Sequence, residues 1–251
     1  MTPANVVIEA TDLTKSFGSF TAVRGVSLAV HTGEAVAIIG PNGAGKTTVF
    51  DLLTGRKHPD KGRVKLFGED VTRQPPWNRV RRGLGRSFQV SSVFPSLTTI
   101  ENVQIGILLA QRQALRLVGR ASHAYREEAK ALLVQVGLAD RMHGLAGELS
   151  YGDQRALELA VALSSHPKVL LLDEPTAGMG AAETEECLSK IKVIAAAKNI
   201  PVLFIEHDMN VVFSFATRVI VLVAGQVLID GTPETVRADS RVREAYFGEA
   251  L

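Results

Sequence analysis

Nine residues, Gly40 to Thr48, constrain this chain more than any other stretch. They read GPNGAGKTT and fit the pattern G-x-x-x-x-G-K-[ST]. The apolar run Ala35, Val36, Ala37, Ile38 and Ile39 leads into them, and the helix-compatible Val49, Phe50, Leu52 and Leu53 follow. That order of strand, loop and helix gives the pattern its meaning. Gly40, Gly43 and Gly45 open backbone conformations closed to other residues, so successive N–H groups can turn inward around a phosphate at a helix N-terminus. The candidate nucleotide-binding set is Gly40, Pro41, Asn42, Gly43, Ala44, Gly45, Lys46, Thr47 and Thr48. Lys46 can reach the outer phosphates of a nucleotide, and the Thr47 hydroxyl can ligate the Mg²⁺ that bridges them.

Composition narrows the remaining classes. With 251 residues, 46% of them hydrophobic, the chain can bury one large core. A net charge of +2 and the absence of any block of five like charges argue against a nucleic-acid arm or a polybasic membrane anchor. Cys187 is the only cysteine, which excludes an internal disulfide, and no spaced His/Cys set suggests zinc. The N-terminal MTPANVVIEA lacks a basic region followed by an apolar one, and no 18-residue window is both uncharged and strongly apolar. A soluble chain in a reducing compartment is expected.

Short alternating apolar runs, Val6 to Ile8 and Val26 to Val30, broken at Gly18 and Gly25, predict antiparallel strands, with another at Val64 to Phe67. Phe17 falls in the loop between the first two; an aromatic there can stack on a nucleotide base or simply pack. From residue 74 the character changes. Arg79, Arg81, Arg82 and Arg86 could grip an anion or a partner, but a solvated basic face is the favoured reading. Helical patterning then runs from Glu101 to Leu117 and from His123 to Val136, with Gly137 as the stop. Ser150 stands where a helix N-cap belongs, with Asp153 three residues on. Val169 to Leu172 is the unbroken apolar run of a strand covered on both faces, and it ends in Asp173, Glu174 and Pro175. A helix from Ala181 to Lys198 precedes a second such strand, Pro201 to Ile205, ending in Glu206, His207 and Asp208. A hairpin around Gly225 and a short helix from Arg241 to Phe247 complete the pattern.

Open parallel sheets bind ligands beyond the carboxyl ends of their strands, and three such ends here carry polar groups: the loop at Gly40, the pair Asp173 and Glu174, and His207. Asp173 suits a Mg²⁺ shell. Glu174, one residue later, can serve as general base toward an attacking water.

Taken together, GPNGAGKT, Gln89 in RSFQ, LSYGDQ at 149–154, VLLLDEP at 169–175 and His207 in IEHD resemble the ATP-binding cassette family in order and spacing, across nearly the whole chain. The resemblance implies an α/β fold of the P-loop NTPase (RecA-like) type. It has a parallel-sheet core with an antiparallel β subdomain (1–88 and 151–251), and a helical subdomain carrying the Gln89 loop (89–150), all in one nucleotide-binding domain. It implies ATP hydrolysis with Mg²⁺ in a head-to-tail dimer of this chain or a paralogue. Ser150, Gly152 and Asp153 of one copy would then cap the γ-phosphate held by Lys46 of the other. It further implies that Gln89 joins Thr47 and Asp173 at the metal and senses the nucleotide, that Phe17 stacks on adenine, and that His207 contacts the γ-phosphate. IEHDM, DGTPE and the ending REAYFGEA are similar to the ATPases of bacterial importers for branched-chain amino acids and related small solutes. Those work at the cytoplasmic face of the inner membrane with two membrane-spanning subunits and a soluble binding protein, and without nucleic acid. The lipopolysaccharide-export ATPase shares a similar tail, and a cassette acting on DNA or the ribosome is a further alternative. A P-loop GTPase is disfavoured because no N-K-x-D or T-K-x-D motif occurs, and Glu174 argues against a regulator without turnover.

Three positions depart from the family pattern. Tyr151 replaces a glycine, Asp153 places a carboxylate where an amide is usual, and Gly180 removes a side chain expected to communicate across the dimer. Asp153 would face the partner's nucleotide, where like charges repel. Asp153→Gln should therefore strengthen ATP-induced dimerisation in size-exclusion chromatography; unchanged or weaker association would remove that repulsion from the account.

Overall fold

The computed structural model describes residues 5–86, 93–111 and 125–247. Strand β1 (Val6–Phe17) pairs antiparallel with β2 (Phe20–His31) around the turn at Gly18. Where the sequence suggests short broken runs, these are two long strands whose register shifts absorb the irregularities. Gly25 takes φ +71 inside β2, the left-handed conformation of a bulge that glycine accommodates without strain. Phe17, expected in a loop, is instead the last residue of β1 and pairs with Phe20. Strands β4 (Lys61–Leu66) and β5 (Glu69–Asp70) complete a four-stranded sheet of order β2-β1-β4-β5.

A second sheet contains β3 (Ala35–Ile39), β6 (Leu84–Arg86), β7 (Val169–Asp173), β8 (Val202–Ile205), β9 (Arg218–Val223) and β10 (Gln226–Gly231), in the order β10-β9-β3-β8-β7-β6. All but β10 run parallel. Side chains of a strand alternate between faces, so the apolar runs feed two cores. Ala37, Ile39, Leu170, Leu172 and Phe204 face one, which is covered by α3 (Thr99–Ala110), α4 (Arg126–Gln135), α5 (Tyr151–Leu163) and α6 (Ala181–Lys198). Val36, Ile38, Val169, Leu171 and Leu203 face the other. There α1 (Lys46–Thr54) packs Val49, Phe50, Leu52 and Leu53 against both sheets. Burying each of these large apolar side chains contributes about 1.5–3 kcal/mol, which fixes the helix that opens on the Gly40–Thr48 loop.

Helix starts follow local chemistry. A capping box between Thr98 and Glu101 begins α3, and Ser150 caps α5 by accepting from Asp153 N at 3.2 Å. Helix α3 ends at Ala110, short of the predicted Leu117, and residues 112–117 lie outside the described ones. Helix α4 starts at Arg126; the predicted start, His123, lies outside them too. Gly137, at φ +83, follows α4 as expected. Three short helices carry no pattern readable beforehand: α2 (Pro76–Arg81), α7 (Met209–Phe215) and α8 (Pro233–Ala238). The closing helix α9 spans Ser240–Phe247.

The basic face expected around residues 79–86 is not one surface. Arg79 is 0% exposed and Arg86 is buried, whereas Arg81 and Arg82 reach solvent. The Arg79 guanidinium donates to the carbonyls of Leu52 (2.7 Å) and Leu53 (2.6 Å) at the end of α1, and to those of Gln74 and Thr72 at 3.2 Å each. It thereby satisfies carbonyls that the end of a helix leaves open. Burial pushes its pKa down to about 10. Strand β6, inside the stretch read as changing character, returns to the parallel sheet beside β7. Arg79→Met should leave those carbonyls unpartnered and lower the unfolding free energy by about 3 kcal/mol, measured by urea denaturation.

Candidate functional site

The loop after β3 is held in shape from several sides. A Cβ at Gly40 would stand 2.1 Å from the Leu222 carbonyl oxygen, and one at Gly45 would stand 2.5 Å from that of Ala22. Only glycine lets the loop sit this close to β9 and β2. Gly225 N donates to Ala44 O at 3.1 Å, and Arg24 N donates to Gly225 O at 2.8 Å, tying the loop to the β9–β10 turn and to β2. Lys46, the first residue of α1, folds back over the loop and donates through Nζ to Gly40 O (2.6 Å) and Pro41 O (3.1 Å). Only 6% exposed, it has its pKa lowered by burial, while the charges of Glu174 and Asp173 pull the other way.

A cleft of about 370 Å³ lies over this loop. Asn42 to Thr48 line one side, Phe17, Phe20 and Ala22 another, and Glu174 and His207 the third. Phe17 is 44% exposed and Phe20 58%, and the ammonium groups of Lys15 and Lys57 each lie 5.8 Å from the centre of the Phe17 ring. The structure thus brings the phosphate loop, the aromatic and the acid–imidazole pair together from four strand ends. Glu174 Oε1 lies 3.0 Å from His207 Nε2. Glu174 itself takes φ +51, a left-handed conformation costing of order 1–3 kcal/mol, and its N–H is anchored on Ile205 O at 3.0 Å. Glu206 supplies support that the sequence reading named only as a strand end. Buried, it accepts from Thr176 N (3.0 Å), Thr176 Oγ1 (2.7 Å) and His207 N (3.2 Å), joining the turns that carry Glu174 and His207. Its position beside His207 after an apolar run was the available signal.

Asp173, the last residue of β7, is buried behind this cleft. Its Oδ2 lies 3.4 Å from Arg86 Nη2, while its Oδ1 is buried with no hydrogen-bond partner among the described residues. Burial raises its pKa, against the opposing pull of Arg86. A buried carboxylate oxygen left in this state fits the water shell of a divalent cation. Among the described residues no group of three His, Cys, Asp or Glu could hold a metal alone, so phosphate oxygens would have to complete the shell, the usual arrangement for Mg²⁺.

Other predicted positions lie elsewhere. Ser150, Gly152 and Asp153 line a separate, smaller cleft with Met179, Glu183 and Lys190. Gln89 lies outside the described residues. Tyr151 packs its ring on Gly178, whose added Cβ would meet it at 3.3 Å, and its hydroxyl accepts from Arg155 Nη2 at 2.7 Å. Gly180 caps α6 with its N–H bonded to Glu183 Oε2 at 3.1 Å.

A parallel sheet whose strand ends converge on a glycine loop, a buried lysine and an acid pair defines a P-loop ATPase core. Residues 23–177 match the model of the ABC transporter family, and residues 226–251 match that of the branched-chain amino acid ATP-binding cassette transporter. The chain belongs to the ABC transporter family and is its ATP-binding, ATP-hydrolysing component. It is 39% identical to the high-affinity branched-chain amino acid transport ATP-binding protein BraF of Pseudomonas aeruginosa, over 97% of this chain and 98% of BraF. It is 35% identical to the lipopolysaccharide export system ATP-binding protein LptB of Haemophilus influenzae, over 97% of this chain and 98% of LptB. Among solved structures, the ADP conformation of an ATP-binding cassette of an ABC transporter superposes with a TM-score of 0.87 at 30% identity, over 97% of this chain and 99% of that one. A dimeric cassette bound to ADP and Pi superposes with a TM-score of 0.76 at 26% identity, over 90% and 98%.

Asp173 binds its proton more tightly folded than unfolded, so without ligand its charge costs stability once pH rises above the ordinary carboxyl value of 3.8 and through the raised one. Asp173→Asn should raise nucleotide-free stability at neutral pH, with no gain below that window, followed by thermal melts across pH.

Proposed function

We propose that this chain drives a membrane transporter for branched-chain amino acids or a related small polar solute. The observation that carries the chemistry is the Glu174–His207 pair facing the Lys46 loop across one cleft. Backbone amides from Gly43 to Thr48 cradle the triphosphate, and Lys46 exchanges its two carbonyl partners for outer phosphate oxygens. Glu174 accepts the proton of the attacking water, and His207, bonded to it, holds the γ-phosphate. Phe17, partly exposed beside Lys15 and Lys57, stacks on adenine. Thr47 and Asp173, with Gln89, would hold Mg²⁺, which when bound neutralises charge on the β- and γ-phosphate oxygens.

No residue of the chain's own α5 lines the cleft, and the first turn of α5 lines a different hollow. We therefore assign Ser150, Gly152 and Asp153 to the nucleotide of a second cassette in a head-to-tail dimer, where the N-terminus of α5 offers free N–H groups to an anion. Residues 89–150 form the helical subdomain in this reading. Among the described residues no helix is long and apolar enough to cross a membrane. Two permease subunits would hold the chain at the cytoplasmic face, with a soluble binding protein delivering solute. The match of residues 226–251 and the higher identity to BraF favour amino-acid import over lipopolysaccharide export.

Reconstituted with its membrane subunits, the parent chain should drive ATP-dependent uptake of labelled leucine. Glu174→Gln should bind ATP, lose about 10² to 10⁴ in turnover and trap an ATP-dependent dimer. A variant that hydrolyses ATP at the parental rate would remove Glu174 from this scheme, and ATPase activity without uptake of leucine, isoleucine or valine would reject the branched-chain amino acids.

A further inference from the structure

Arg86 opens the RSFQ stretch, in which the resemblance gives a role to Gln89 alone. It is the last residue of β6, pairs with Leu171 of β7 two residues before Asp173, and leads directly into residues 87–92, where Gln89 lies. Its side chain is 3% exposed and spans two acidic residues. Nη1 lies 3.5 Å from Asp51 Oδ1 and donates to Thr54 Oγ1 at 2.9 Å, both on α1, while Nη2 lies 3.4 Å from Asp173 Oδ2. Asp51 is also paired with Lys57. The guanidinium is therefore held from the α1 side by two groups and also reaches one oxygen of Asp173.

That division of the carboxylate matters. Oδ2 faces Arg86, and Oδ1 is left buried without a hydrogen-bond partner among the described residues. A buried carboxylate free to rotate would alternate its oxygens; one held by a charge-assisted contact on a single oxygen keeps the other aimed in one direction. Groups that orient a metal-binding side chain in this way usually change metal affinity by about 10–100-fold when removed.

On the reading of Asp173 given above, we infer that Arg86 is a positioning residue for the metal: braced by Asp51 and Thr54, it holds Asp173 so that Oδ1 is presented to Mg²⁺·ATP. The contact also joins α1, which begins at the phosphate loop, to the strand that precedes Gln89. The planar fork suits this bridge, since separate N–H groups of one guanidinium reach Thr54 and Asp173 at the same time.

The test is a Mg²⁺ titration of binding of a fluorescent ATP analogue to the full chain, without reading turnover. The measured quantity is the Mg²⁺ concentration at which binding is half-maximally tightened. Arg86→Met should raise it by about 10–100-fold, and Arg86→Lys by less. A purely structural role would lower the melting temperature and leave that midpoint within twofold of the parent, which would overturn the inference. Should Arg86→Met fail to fold, Thr54→Val, which removes one brace, decides: a raised midpoint supports the inference and an unmoved one rejects it. Asp173→Asn separates the two levels. If it abolishes the Mg²⁺ dependence while the Arg86 variants leave the midpoint unmoved, only the role of Arg86 falls. If it keeps the parental dependence, the assignment of Asp173 falls, and the inference with it.

Discussion

The structure depends on a buried ammonium with carbonyls rather than a carboxylate for partners. Lys46 Nζ sits against Gly40 O and Pro41 O, inside a loop whose approaches at positions 40 and 45 require glycine. Removing an ammonium from water costs several kcal/mol even after relaxation, and two neutral carbonyls repay only part of that. The uncompensated remainder is the attraction the loop offers to an anion. Glu174 and Asp173 lie near enough to be felt electrostatically but make no ion pair with it.

Holding such a group in place falls to the two cores. Because successive residues of β3, β7 and β8 point to opposite sides, one sheet packs α1 on one face and the longer helices on the other. The strand ends then lie side by side in a fixed register: Asp173 pairs with Ile205, one residue before Glu206 and two before His207. Glu206 converts that register into a rigid joint by bonding Thr176 and the His207 backbone at once. The left-handed strain at Glu174 is sustained by this joint, which leaves its carboxylate directed at the imidazole rather than down the strand.

Much of this was legible in the sequence because it is local. The glycine loop between β3 and α1, the Ser150 cap and the apolar strands ending in acids are each specified within a few residues, and the structure forms each of these elements there. What was not legible depends on partners far along the chain. Arg79 and Arg86 look like solvated charges until α1 supplies carbonyls, Thr54 and Asp51 for them to meet. Phe17 reads as a loop residue because β1 and β2 continue through irregular register that no alternation reveals. The helices at 76–81, 209–215 and 233–238 are too short to show a period.

The β9–β10 turn has a consequence of its own. Gly225, with φ +80, touches both Ala44 O and Arg24 N, and an added Cβ there would stand 2.7 Å from Ala22 O. A hairpin tip is ordinarily the place where a chain tolerates extra residues or new termini. This one is wedged under the loop that begins at Gly40, so lengthening it by even one residue would reshape the floor of a pocket whose own sequence was untouched. Fusion tags or permutation points belong on other surface turns.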